Sequence, residues 1–160
     1  MKPSKFPTLT KLLTEQDSST VDQQLARRLL ELQGIAGVQK TKNIAQRKRV
    51  QEMMVDFVKN EKLDIAAKTG AGSDIQVEQN VIVDFLKGAD DAFGDVIEHY
   101  ENIAMAADLL HRATIENAEP EPEVVESILY DFSNTLSSLG FTDVFKAIQA
   151  RYPSLWYLPP

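Results

Sequence analysis

Residues 90–117 read DDAFGDVIEHYENIAMAADLLHRATIEN. Within them Phe93, Val96, Ile97, Tyr100, Ile103, Ala104, Ala107 and Leu110 recur at short helical steps. That is the period of an α-helix with one buried face. His111 and Thr114 continue the same stripe with more polar side chains. Asp90, Asp91 and Asp95 stand near the start of the stretch, where carboxylates complement the positive end of a helix dipole. The spacing predicts one long helix over 90–117.

Toward the C-terminus, AEPEPE at 118–123 is a connector, and Pro122 suits the first turn of a following helix. Val124, Val125, Ile128, Leu129, Phe132, Leu136 and Leu139 predict that helix, with Gly140 as the residue just past its end. Thr142 is expected to cap a short helix over DVFKAIQARY, which Pro153 stops. Toward the N-terminus, DIQVEQNVIVDFLKG at 74–88 suits a helix, although Val81, Ile82, Val83, Phe85 and Leu86 would also suit a buried strand. Before it, KTGAGSD at 68–74 has the composition of a loop. Another helix is expected from Asn43 to Lys62, with Asn43 and Gln46 spaced as in a capping box.

The earliest helix is expected over VDQQLARRLLEL, capped from Ser18, Ser19 or Thr20. It carries a stripe of Val21, Leu25, Leu29 and Leu30 and ends at Gly34 and Gly37. Pro3 and Pro7 predict an extended arm before it. With no repeat and no convincing hairpin, the chain reads as all-α: a single-domain bundle of about six helices. Its expected parts are an extended arm at 1–17, the bundle at 18–152 and an aromatic, proline-ended tail at 153–160.

The chain has 160 residues, 43% hydrophobic and 26% charged, the balance of an ordinary globular protein that can bury a core. It has no cysteine, which excludes disulfides, thiolate metal sites and cysteine catalysis and fits a reducing, cytoplasmic setting. The apolar runs are far shorter than the roughly 20 residues of a membrane-spanning helix, so no membrane partner is expected. The net charge of −7 is unevenly spread. Residues 1–70 carry 13 Lys/Arg and 8 Asp/Glu, while residues 71–160 carry 4 and 16. Such asymmetry fits mutual neutralisation within one fold, a basic contact surface, or head-to-tail self-association.

The basic half peaks at KTKNIAQRKRV, residues 40–50. On a helical wheel Ile44, Val50, Met53, Met54, Phe57 and Val58 share one arc. Lys48 and Arg49 are spaced to pair with Glu52, and Asp56 with Lys59. Arg47 falls inside the apolar arc, so it must snorkel or meet an acid from another helix. Lys40, Lys42 and Arg47 are the least compensated cations, and the expected counterpart is an acid of the second half or a phosphate. A nucleic-acid contact would need Arg27, Arg28 or Lys62 beside Lys40, Lys42, Arg47, Lys48 and Arg49. Against it stand the acidic pI of about 4.8 and the lack of aromatic residues in the basic run.

Asp108 and His111 have the carboxylate–histidine spacing used in di-iron helical bundles, but the sequence offers only one such motif. A histidine bonded to Asp108 or to a backbone carbonyl is the expected arrangement. The glycine loop lacks the Gly-Lys-Ser/Thr ending of a phosphate loop, and no nucleophile motif is present. No catalytic residue, metal or cofactor is therefore expected. The apolar ends carry the remaining signal: Phe6 and Leu9 in the arm, and Leu155, Trp156, Tyr157 and Leu158 in the tail. Aromatic residues dominate interface energetics. The expected function is a non-enzymatic protein–protein interaction module, an adaptor or accessory subunit that binds other subunits or itself. The alternative is nucleic-acid binding through residues 40–49.

Overall fold

A computed structural model describes the backbone of residues 5–67 and 73–156 and the side chains of residues 20–60 and 80–155. Its elements are α1 (Lys5–Ala67), α2 (Ser73–Glu116), α3 (Pro122–Glu126), a π-helical segment (Ser127–Asp131), α4 (Ser133–Ser138), α5 (Thr142–Arg151) and α6 (Pro153–Trp156). The all-α class read from the sequence is the observed class, and residues 74–88 are helix, not strand.

The breaks fall elsewhere than expected. α1 runs through Gly34 and Gly37, and α2 runs through Gly88. A mid-helix glycine costs about 1 kcal/mol relative to alanine. The inward stripe outweighs that cost because it keeps its phase across each glycine. In α1 it passes through Leu25, Leu29, Leu32 and Ala36, all buried, then through half-buried Gln39, Asn43, Arg47, Val50, Met54 and Phe57. Leu30 and Val21, expected inside, are half or more exposed. In α2 the stripe passes Val83, Leu86, Asp90, Phe93, Ile97 and Tyr100 on both sides of Gly88. Helix α1 also begins at Lys5, inside the expected arm. Pro7 then lies in its first turn, where the missing N–H breaks no helical hydrogen bond.

The chain divides into two compact units, Met1–Ala36 with Asn102–Pro160, and Gly37–Glu101. The first holds the core. Leu29, Leu32, Ile103, Leu110, Val125, Ile128, Leu136, Phe141, Val144 and Ile148 are almost completely buried there. Pro122 occupies the first turn of α3 as expected. The single helix anticipated from Val124 to Leu139 is instead three segments. The Phe132 N–H donates to the Ser127 carbonyl at 2.9 Å, a five-residue step. The helix is interrupted at Phe132 (φ −109°, ψ 1°), and Val125, Ile128, Leu129, Phe132 and Leu136 all reach the core. Gly140 has φ +84°, the left-handed conformation that ends a helix. Phe141, rather than Thr142, is the N-cap of α5. Proline 153 stops α5 and opens α6, which packs against α3.

The second unit is an antiparallel pair made by the later part of α1 and the earlier part of α2. Among its described residues Leu86 is the one apolar side chain that reaches burial. Two helices can cover only one stripe of each other, so Ile44, Met53, Val55, Val81, Ile82 and Phe85 stay in solvent.

A Cβ built on Gly34 or Gly37 meets nothing within 4 Å. Gly34→Ala and Gly37→Ala should therefore each stabilise the chain, by roughly 0.5–1 kcal/mol. Chemical denaturation would detect this, and a loss of stability would contradict the continuous helix.

Candidate protein-interaction surface

Arg47 lies on the inward stripe of α1, as the wheel required, and its partner is an acid of α2. Its Nε donates to Asp90 Oδ1 at 2.9 Å, and Gln51 Nε2 donates to the same oxygen at 2.9 Å. These bonds hold the Asp90 carboxyl below the usual carboxylate range and raise the Arg47 guanidinium. Asp90 was expected to complement a helix start. Helix α2 begins at Ser73, however, so Asp90 lies mid-helix and serves Arg47. Gly94, one turn on, gives the guanidinium its seat. A Cβ at that position would stand 3.1 Å from Arg47 Nη2. Further along, Lys40 Nζ reaches Glu101 at 3.5 Å.

The seven cations grouped by sequence divide between the two units. Arg27 and Arg28 belong to the unit with the core. Arg27 is exposed, 3.9 Å from Glu31. Arg28 is consumed: its Nε and Nη2 reach the two Asp143 oxygens at 2.8 and 3.0 Å, and Nη1 reaches Glu31 at 2.6 Å. Nη2 also donates to the Gly140 carbonyl at 2.8 Å, and the guanidinium stacks 4.1 Å over the Phe141 ring. In the other unit Lys42, Lys48 and Arg49 are exposed. The expected pairs of Lys48 and Arg49 with Glu52, and of Asp56 with Lys59, do not close to ion pairs among the described residues. The long side chains remain extended in solvent, where such pairs contribute little.

What the two-helix unit presents is apolar. With residues placed about 100° apart, Ile82, Phe85, Ala89, Ala92 and Val96 form a second seam along α2. It runs beside the stripe that faces α1, on the face opposite the Arg47–Asp90 pair. Steps of three and four residues are those of a helix seam that receives another helix. Phe85 is 74% exposed, Ile82 42% and Val96 37%. On the same face α1 contributes Lys42, Arg49 and Met53, the last 56% exposed. The other face carries the ion pairs and a concavity of about 500 Å³ lined by Met54, Val55, Val58, Lys59, Val83 and Lys87. Reading Val81–Leu86 for strand or helix had hidden the seam. Its signal was the period of Ile82, Phe85, Ala89, Ala92 and Val96.

In the unit with the core, His111 Nδ1 lies 2.8 Å from the Ala26 carbonyl, to which it donates. This is one of the two arrangements expected for it, and Asp108 pairs with Arg112 at 3.1 Å instead. No group of three or more His, Asp or Glu among the described residues is disposed to hold a metal. A groove of about 300 Å³ is lined by Met105, Leu109, Val124 and Phe132 with Glu123 and Asp131. Of the apolar ends, Leu155 is half-buried and its carbonyl accepts from the Tyr130 hydroxyl at 3.3 Å. The side chains of Phe6, Leu9 and Trp156, and residues Tyr157 and Leu158, lie outside the described residues. No described helix is long and apolar enough to cross a membrane. No protein-family model, curated protein or solved structure matches this chain.

The Arg28 hydrogen bonds hold the Asp143 carboxyl below its ordinary range. A depressed carboxyl stabilises the fold above its unfolded pKa of about 3.9, and the contribution disappears as pH falls through the folded value. Asp143→Asn should therefore lower the denaturation midpoint at neutral pH, and the gap to the wild type should close below about pH 4. A gap independent of pH would assign the loss to something other than the ion pair.

Proposed function

We propose that this chain is a non-enzymatic protein–protein interaction module, in which the unit with the core supplies stability and the two-helix unit supplies the contact surface. One observation carries the reading. The second seam of α2 holds Ile82, Phe85 and Val96 in solvent beside a unit whose described residues bury only Leu86. Exposed apolar patches of this kind mark interaction sites, and aromatic residues such as Phe85 are frequent interface anchors. The partner is another protein subunit, the role is that of an adaptor or accessory subunit, and the cytoplasmic setting belongs to the same proposal. The alternative of nucleic-acid binding is weaker, because Arg28, Arg47 and Lys40 are each tied to a carboxylate. Lys42, Lys48 and Arg49 are left to it, on a unit whose α2 residues 80–101 carry 6 Asp/Glu and 1 Lys.

Site-specific photo-crosslinking tests the surface. A benzophenone amino acid at position 85 should give discrete protein adducts in cells, and the same probe at exposed Glu52 should not. Equal labelling at both positions, or none at 85, would remove this reading. Salt-dependent binding to random-sequence RNA or DNA that Lys48→Glu with Arg49→Glu abolishes would replace it with the alternative.

A further inference from the structure

Resting on that reading of the α2 seam, we infer that its occupant is a second copy of this chain, related by a two-fold axis running along the helices. Each α1 then lies over the α2 of the other copy, and the four helices form a bundle. Charge selects both the occupant and the axis. Residues 37–60 of α1 carry 6 Lys/Arg and 2 Asp/Glu, whereas residues 80–101 of α2 carry 1 and 6. Lys40 and Arg47 use Glu101 and Asp90 within the copy. Of the rest, Lys42 and Arg49 on α1 share the seam face and Asp95 on α2 lies at its edge, all exposed. A surface basic on one helix and acidic on the next is complementary to itself, as an isologous contact requires. An axis across the helices would instead set α1 on α1 and α2 on α2, like charge on like.

The apolar residues agree with this arrangement. Lys42, Arg49 and Met53 share the face of the Ile82–Val96 seam. When two such faces close, Met53 and Ile82 point into the bundle, and Phe85 and Val96 pack against the facing α1. Ala89 and Ala92, at the middle of the seam, let the helices approach closely. The ion pairs between α1 and α2 fix the register. Arg47 is level with Asp90 and Lys40 with Glu101, so Asp95 of the second copy falls in height between Arg49 and Lys42. Asp95 lies at the outer edge of the seam, within reach of those two long side chains. The bundle would also give the two-helix unit the second layer that it lacks on its own.

Sedimentation equilibrium on the full chain reads the association, with circular dichroism as the check on folding. The wild type should dimerise. Phe85→Asp should weaken the dimer at least about 100-fold with helicity unchanged, as removal of a central aromatic anchor does. Arg49→Glu and Asp95→Arg should each weaken it, and an equimolar mixture of the two variants should restore it, because each mixed dimer regains opposite charges at both contacts. A wild-type monomer at all concentrations would overturn the inference, and so would a mixture no tighter than the separate variants. The proposed function fails separately: a wild-type monomer whose residue 85 crosslinks to a different protein removes only the second copy. A monomer with no adduct at 85 removes both.

Discussion

Two helices lying side by side can hide one stripe of each and no more. In residues 37–101 that shared stripe is itself partly polar, with Arg47 and Asp90 placed where a larger unit would put leucine. A charge pair at such a position sets register and direction more than it adds stability, since a pair that water still reaches is worth little against screening. Asp90 takes the Arg47 Nε–H and a proton of the Gln51 amide on one oxygen, which admits few sliding alternatives. The exposure of Ile82 and Phe85 follows from the same limit. With α1 spent on one stripe of α2, the chain supplies no described helix for the next.

The other unit escapes this limit by adding a third layer. The helices after Glu121 lay Val125, Ile128, Leu136, Phe141 and Ile148 against the stripes of α1 and α2. Polar groups there are satisfied locally. His111 donates to a helix carbonyl, and Thr114 returns its hydroxyl proton to Leu110 at 2.7 Å. No buried side-chain nitrogen or oxygen among the described residues lacks a partner. Arg28 binds the first turn of α5 to α1 through a carboxylate, a carbonyl and a ring at once. Such multidentate contact uses the planar fork of arginine in a way that lysine cannot reproduce.

Much of this was legible beforehand. The helical class, the long α2 core stripe apart from exposed Val96, Pro122 at a helix start and Gly140 past a helix end all follow from local period and backbone chemistry. The position of Arg47 inside an apolar arc left it to snorkel or to meet an acid on another helix, and it meets one. Which acid it is was not readable, because Asp90 stands with Asp91 and Asp95 in a group that suits a helix start equally well. The glycines misled for a related reason. The inward stripe of α1 becomes polar at Gln39, Asn43 and Arg47, so hydrophobicity alone sees a helix ending where the packing continues. Arg28 looked like part of a basic patch because Asp143, its partner, is 115 residues away in the chain. Gly94 had no pattern to betray it. Its role exists only once a guanidinium lies across it.

The π turn at Ser127–Asp131 has a bearing on how this chain tolerates changes of length. Val125, Ile128, Leu129, Phe132 and Leu136 keep ordinary helical steps of three and four across it, so the core pattern has no residue to spare there. Deleting a single residue would turn Phe132 and Leu136 by about 100° out of phase with Val125, as a deletion in α1 or α2 would do to every later side chain. The backbone widens at this turn, but the sequence keeps its register.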